Sequence, residues 1–68
     1  MKVLDREIEK DMTVEIENVD SKVRWFGVVT RAGAREFTVA PEGAGGWPTI
    51  IFDGEESAFR GYRISRVL

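Results

Sequence analysis

Cysteine and histidine are both absent from this chain of 68 residues. Without cysteine there are no disulfides, so a secreted, disulfide-stabilised miniprotein is disfavoured. Zinc-finger, haem and iron–sulfur sites lose their usual ligands, and the chain has neither a cysteine nucleophile nor a histidine general base. These absences argue against most hydrolase chemistry, and they predict a protein that is not an enzyme and holds no metal or cofactor.

Long apolar runs are missing too, since nothing approaches the roughly 20 consecutive apolar residues of a membrane-spanning helix. The first residues, MKVLDR, carry positive charge but no apolar segment, so they do not resemble a signal peptide. We therefore expect a cytoplasmic protein with no membrane partner. We also expect a single domain with a small core, because chains of about 60 residues bury only roughly 60% of their unfolded surface.

What the sequence does contain is a series of short segments with the period-two alternation of half-buried strands. Strands are predicted at 12–19, 22–31, 35–41, 47–54 and 61–68. The second segment has apolar residues on both faces and Gly27 at its centre, which predicts a long strand that bends or bulges there. Turn-forming residues separate the segments at roughly ten-residue spacing, which is typical of a small all-β barrel or sandwich.

The two ends of the chain leave alternatives open. In residues 1–11, Leu4 and Ile8 are four positions apart, as a short amphipathic helix requires, but an extended lead-in with a tight turn at Lys10–Asp11 is favoured. In the last segment, Tyr62 and Ile64 share a face, and Val67 joins them only through a twist or bulge. The predicted organisation is one domain over 1–68, with a lead-in at 1–11 and a β-barrel at 12–68.

The segments IEKDMTVEI, WFGVV, FTV, IIFDG and YRISRVL, in this order, resemble SH3-like barrels of the Tudor, KOW and Sm-like kinds. The resemblance covers residues 8–68 and lies in the rhythm of an opening turn, a long bent strand, two short strands and a closing strand. It implies a single five-stranded SH3-like barrel or a compact β-sandwich, and no particular ligand. Asp11 replaces the glycine of the KOW opening, and the ALYDY-type opening of signalling SH3 domains and an Sm RNA-binding signature are missing.

The stretch PEGAGGWP, residues 41–48, raises the question of a phosphate-binding loop. Such loops lead into a helix and are usually completed by a lysine, whereas here a β-type run follows and there is no Lys-Ser or Lys-Thr pair. A hairpin connection that presents Trp47 is therefore favoured. Trp47 is then either a lid over one end of the barrel or an exposed anchor for a partner.

Aromatic residues are the candidate contacts for a protein partner, because large rings dominate the binding energy of interfaces. The candidates are Trp25, Trp47, Phe59 and Tyr62. A cage for a methylated lysine or arginine, completed by Asp53 or Glu55, is an alternative use of the same rings. Packing of the small core is the competing explanation.

Arginine supplies the alternative function. Arg24, Arg60, Arg63 and Arg66 are the candidates for a positive stripe that binds nucleic acid, with exposed aromatic rings as stacking platforms. The net charge of −2 weighs against this interpretation. The sequence therefore favours a non-catalytic binding module, a small accessory or regulatory protein of the kind that phages encode, with a protein partner. Assembly into a homo-oligomer through an exposed strand edge is a further possibility.

Overall fold

The computed structural model describes residues 1–42 and 49–68, and all regular structure within them is β-strand. The strands are β1 (Lys2–Val3), β2 (Arg6–Glu7), β3 (Thr13–Asn18), β4 (Arg24–Ala32), β5 (Phe37–Pro41), β6 (Ile50–Phe52) and β7 (Tyr62–Val67). Residues 43–48, where the sequence predicts a hairpin connection and which include Trp47, lie outside the described residues. The described ranges contain no helix with the length and apolar character needed to cross a membrane.

Strands β3 to β7 form one antiparallel sheet in the order β6-β5-β4-β3-β7. Strands β3, β4 and β5 each pair with the next strand along the chain, and β7 returns to pair with β3. Residues 53–61, here called the connector, then link the two outer strands through the bridges Phe52–Ser57 and Glu56–Arg63. The sheet is therefore curled into a half-barrel, which confirms the predicted all-β fold with five main strands.

The lead-in segment forms a small hairpin, β1–β2, and not the alternative helix. Leu4 and Asp5 make its turn, with φ angles of 52° and 65°. A second turn at Lys10–Asp11 leads into β3, as the extended interpretation predicted. Val3 and Ile8 are both buried, so the lead-in contributes two side chains to the core of the half-barrel.

The core lies on the inner face of the curled sheet. Its fully buried side chains are Val14, Ile16, Val29, Phe37, Val39, Phe52 and Ile64. Phe37 and Phe52 are paired on adjacent strands, and their rings stack with centroids 5.3 Å apart. Val67 reaches the same core because the pairing of β7 with β3 shifts register at Ser65, which confirms the bulge that its burial required.

Gly27 allows two strands to approach closely, and the irregularity in β4 lies elsewhere. The pairing of β4 with β5 does contain a bulge, but it falls at Thr30. A Cβ atom on Gly27 would lie 2.6 Å from Cγ1 of Val39 and 3.0 Å from the carbonyl oxygen of Ala40. Gly27 is therefore needed because β5 packs against its backbone, a reason that the strand pattern alone did not give.

Candidate binding surfaces

A small apolar cavity opens between β6, the connector and the start of β7, and is called the β6–β7 groove. Its volume is about 170 Å³, and it is lined by Thr49, Ile50, Ile51, Ser57, Phe59 and Tyr62. A cavity of about 150 Å³ is large enough for one benzene ring. Ordinary ligand pockets are larger, at about 300–1,000 Å³. The groove therefore has room for one apolar side chain rather than for a cofactor.

Phe59 stands at the mouth of this groove with 83% of its surface exposed. The backbone that carries it is held on both sides. The buried hydroxyl of Ser57 donates to the carbonyl oxygen of Phe59 and accepts from the N–H of Tyr62 at 3.2 Å. Gly61 follows with a φ of 137°, and its carbonyl accepts from the N–H of Val19. The ring of Phe59 is thus presented to solvent from a fixed loop.

Trp25 and Tyr62 pack edge to face, with ring centroids 5.6 Å apart and planes at 86°. Both are half-buried and pack against the core. Tyr62 therefore serves the core and the groove together, whereas Trp25 is not among the residues that line the cavity. The structure thus connects three of the four predicted aromatic contacts, and the fourth, Trp47, lies outside the described residues.

On the outer face of the sheet, two arginines bind one carboxylate. Arg24 on β4 and Arg63 on β7 are the cross-strand neighbours of Glu17 on β3. The Nε atom of Arg24 donates to Oε2 of Glu17 at 3.0 Å, and that of Arg63 donates to Oε1 at 2.6 Å. Nη1 of Arg63 also lies 3.8 Å from Oε2 of Glu55. The Glu17 side chain is only 5% exposed, so the guanidinium groups cover it.

These contacts lower the pKa of Glu17 below its ordinary value of 4.5, the hydrogen bond from Arg24 contributing most, followed by that from Arg63, while burial opposes them. The pKa of Glu7 is lowered as well, chiefly because the N-terminal ammonium group donates to its Oε2 at 2.6 Å. A carboxylate that is held in its charged form in this way stabilises the folded state only while it is ionised.

Acid should therefore weaken the fold. The folded-state pKa of Glu17 lies below its unfolded-state value near 4.5. Its stabilisation is thus fully present above that pH and is lost as the pH falls through the folded-state pKa. We expect the urea concentration at the midpoint of unfolding to decrease when the pH is lowered below about 4.5. Tryptophan fluorescence follows the unfolding.

Two variants test whether the loss of stability in acid comes from Glu17. Glu17→Gln should lower the midpoint at neutral pH and flatten its decline in acid, because the charge that protonation removes is already gone. Glu15→Gln is the matched control on the same strand and face, where the ion pair to Arg66 is longer, at 3.7 Å. A decline in acid that is as steep in Glu17→Gln as in the parent would assign the effect to other groups.

Phe26 lies beside this cluster on the outer face, opposite Glu15. Its side chain is 37% exposed, and Cζ of Arg66 lies 5.8 Å from the centroid of its ring. Arg24, Phe26, Arg63 and Arg66, with Glu15 and Glu17 beneath them, are called the arginine face. Phe26 was not among the predicted contacts, although period-two counting along β4 places it on the same face as Arg24.

The predicted arginine stripe is thus divided between two surfaces. Arg24, Arg63 and Arg66 share the arginine face, whereas Arg60 is exposed in the connector, next to Phe59. A second cavity, of about 290 Å³, lies at the β4–β5 hairpin and contains none of the predicted contacts. Within residues 1–42 and 49–68, no group of three or more acidic side chains is placed to hold a metal ion.

Comparison with known proteins leaves the function to be argued from these surfaces. No protein-family model, curated protein or solved structure matches the chain. Among the described residues, the β6–β7 groove is an apolar surface and the arginine face a charged one, and both contain residues that the sequence predicted as contacts.

Proposed function

We propose that this chain is a non-catalytic binding module whose β6–β7 groove binds a protein partner. The observation that carries the proposal is Phe59, which is 83% exposed beside an apolar cavity of about 170 Å³. Exposed aromatic rings next to a pocket are typical of the few residues that dominate an interface. Because hydrogen bonds already hold the backbone around Phe59, little backbone entropy remains to be lost on binding.

An SH3-like barrel is the specific fold that we propose for the half-barrel. Strands β3 to β6 form a meander, and the closing strand β7 lies next to β3. The connector between β6 and β7 is short and joins the outer strands. This order supports the resemblance of the sequence to such barrels, in which a long bent strand is followed by two short strands and a closing strand.

The groove favours a short segment of a partner over a broad interface. One apolar side chain of the partner would fill the cavity and contact Tyr62, while its neighbours would rest on Phe59. Such a contact buries little area, which is characteristic of weak and transient complexes. A small accessory or regulatory protein of the cytoplasm, of the kind that phages encode, fits this mode of binding, and self-association is the alternative to a separate partner.

Selection from a displayed library of random peptides tests the proposal. We expect the folded chain to enrich peptides with one large apolar residue, and we expect Phe59→Ser to weaken their binding about tenfold or more, as truncation of a central interface residue does. Calorimetric titration of the enriched peptides, at low and at physiological salt, measures the loss. The affinity should change little with salt, because the groove is apolar.

The matched control is Phe26→Ser, which removes another exposed phenylalanine from the opposite face of the sheet. It should leave peptide binding unchanged, and circular dichroism should show that both variants are folded. Failure of the library to yield peptides that distinguish the parent chain from Phe59→Ser would exclude the groove as the binding site.

A further inference from the structure

The arginine face presents unused hydrogen-bond donors to solvent. Arg24 and Arg63 each bind Glu17 through Nε. Among the ion pairs of the described residues, no Nη atom of Arg24 takes part, and Nη1 of Arg63 makes only the 3.8 Å contact with Glu55. An arginine has five N–H donors, so most of those on these two side chains are left for a ligand.

The charges on this face are layered. The side chains of Glu17 and Glu15 are 5% and 16% exposed, whereas those of Arg24, Arg63 and Arg66 are 55%, 35% and 57% exposed. An approaching anion therefore meets guanidinium groups before carboxylates. The carboxylates also fix the arginine side chains in place, so less rotamer entropy is lost when they bind a ligand.

We propose that the arginine face binds single-stranded nucleic acid. The Nη groups of the arginines would contact phosphates, with which guanidinium forks form strong hydrogen bonds. Phe26 lies on β4 at one side of the face, 37% exposed and with the guanidinium of Arg66 over its ring. The part of the ring that is exposed would stack on one base. A single strand fits better than a duplex, because its bases are already unstacked and can reach the ring of Phe26 on the outer face of the curled sheet. Glu15, Glu17 and Glu55 balance the charge of the three arginines, so binding would depend on the exposed guanidinium donors and not on an excess of positive charge. We therefore expect a weak affinity.

Two carboxylates at the margin of the face limit the proposed affinity. Glu55 lies against Arg63, and the exposed Glu42 donates its backbone N–H to the carbonyl oxygen of Phe26 at 2.9 Å. Both would repel a phosphate backbone. Glu42→Gln and Glu55→Gln are therefore expected to tighten binding about twofold or more, an increase that loss of folding cannot produce.

Fluorescence anisotropy with labelled oligonucleotides of about 12 nucleotides, as single-stranded DNA, single-stranded RNA and duplex, tests the proposal. We expect the single strands to bind more tightly than the duplex. The logarithm of the affinity should fall with the logarithm of the salt concentration with a slope of about −2, since each phosphate contact on a single strand contributes about −0.7.

Four variants then locate the site. Arg66→Gln should make the salt slope about 0.7 less negative, because one phosphate contact is lost. Phe26→Ser should weaken binding about fivefold or more and leave the salt slope unchanged. Phe59→Ser should leave the affinity for nucleic acid unchanged. The experiments can therefore reject this proposal without rejecting protein binding at the groove, and the reverse. Arg24→Lys keeps the positive charge but loses the paired donors of the guanidinium group. It should weaken binding and leave the salt dependence of the affinity unchanged.

Three results would overturn the proposal. The first is no binding of either single strand at low salt. The second is equal affinity for duplex and single strand, because stacking on Phe26 would then contribute nothing. The third is binding that is unchanged in Phe26→Ser and Arg66→Gln, which would place the nucleic acid on another surface.

Discussion

Replacing Phe52 by alanine is expected to remove a large part of the stability of the fold. Phe52 is fully buried and stacks on Phe37, with ring centroids 5.3 Å apart. Truncating a buried phenylalanine costs about 3–5 kcal/mol. At about 0.05–0.15 kcal/mol per residue, a chain of this size has a total stability of only roughly 3–10 kcal/mol. The substitution should therefore remove about a third of the stability at the upper limit of this range and all of it at the lower limit.

Urea unfolding followed by circular dichroism measures this loss. The matched control is Phe59→Ala, which removes the same side chain from a position that is 83% exposed. That variant should stay within about 0.5 kcal/mol of the parent chain, as surface substitutions usually do. Equal losses in the two variants would show that the ring of Phe59 is packed in solution, and would remove the basis of the groove as a binding site.

The second large effect is expected from a single added methyl group, in Gly27→Ala. The new Cβ would lie 2.6 Å from Cγ1 of Val39, a buried side chain, and 3.0 Å from the backbone oxygen of Ala40. Neither neighbour can move freely, because Val39 lies in the core and Ala40 is paired in the sheet. Overpacking of this kind costs about 1–3 kcal/mol.

Thermal unfolding is the measurement for Gly27→Ala. A loss of 1 kcal/mol corresponds to about 4–8 °C in a domain of this size, so the melting temperature should fall by at least about 4 °C. Gly54→Ala is the control, since a Cβ there would have no neighbour within 4 Å. A melting temperature that is unchanged in Gly27→Ala would mean that β4 and β5 are spaced more widely than the structure shows.

The main sheet could be predicted from the sequence, because its strands carry a strong alternation. Four of the five predicted segments contain one whole strand of the main sheet, and β4 extends one residue beyond its predicted segment, to Ala32. The β1–β2 hairpin was not predicted, since its turn uses Leu4 and Asp5 where Asn-Gly would be the usual signal. A bend or bulge in β4 was predicted at Gly27, and the bulge lies instead at Thr30, because a glycine can mark either a bulge or a close approach of strands.

The binding surfaces could be predicted only in part. Tyr62 and Phe59 were identified as aromatic candidates, but the cavity between them and β6 depends on the path of the connector, which no residue pattern encodes. The burial of Glu17 was not predictable either. Alternation places it on the outer face, and its partner Arg63 is 46 residues away along the chain, so only the return of β7 to β3 brings them together.

The connector has a further consequence for how this protein can evolve. Its residues hydrogen-bond to both outer strands, through the N–H of Ala58 to Ile51 and the N–H of Ser57 to Tyr62, and the same segment carries Phe59. The segment that closes the half-barrel is therefore the one that would contact a ligand in the groove. A partner that binds the folded and not the unfolded chain stabilises the whole fold. Natural selection for tighter binding at the groove would then favour mutations that stabilise the fold, including mutations far from the groove.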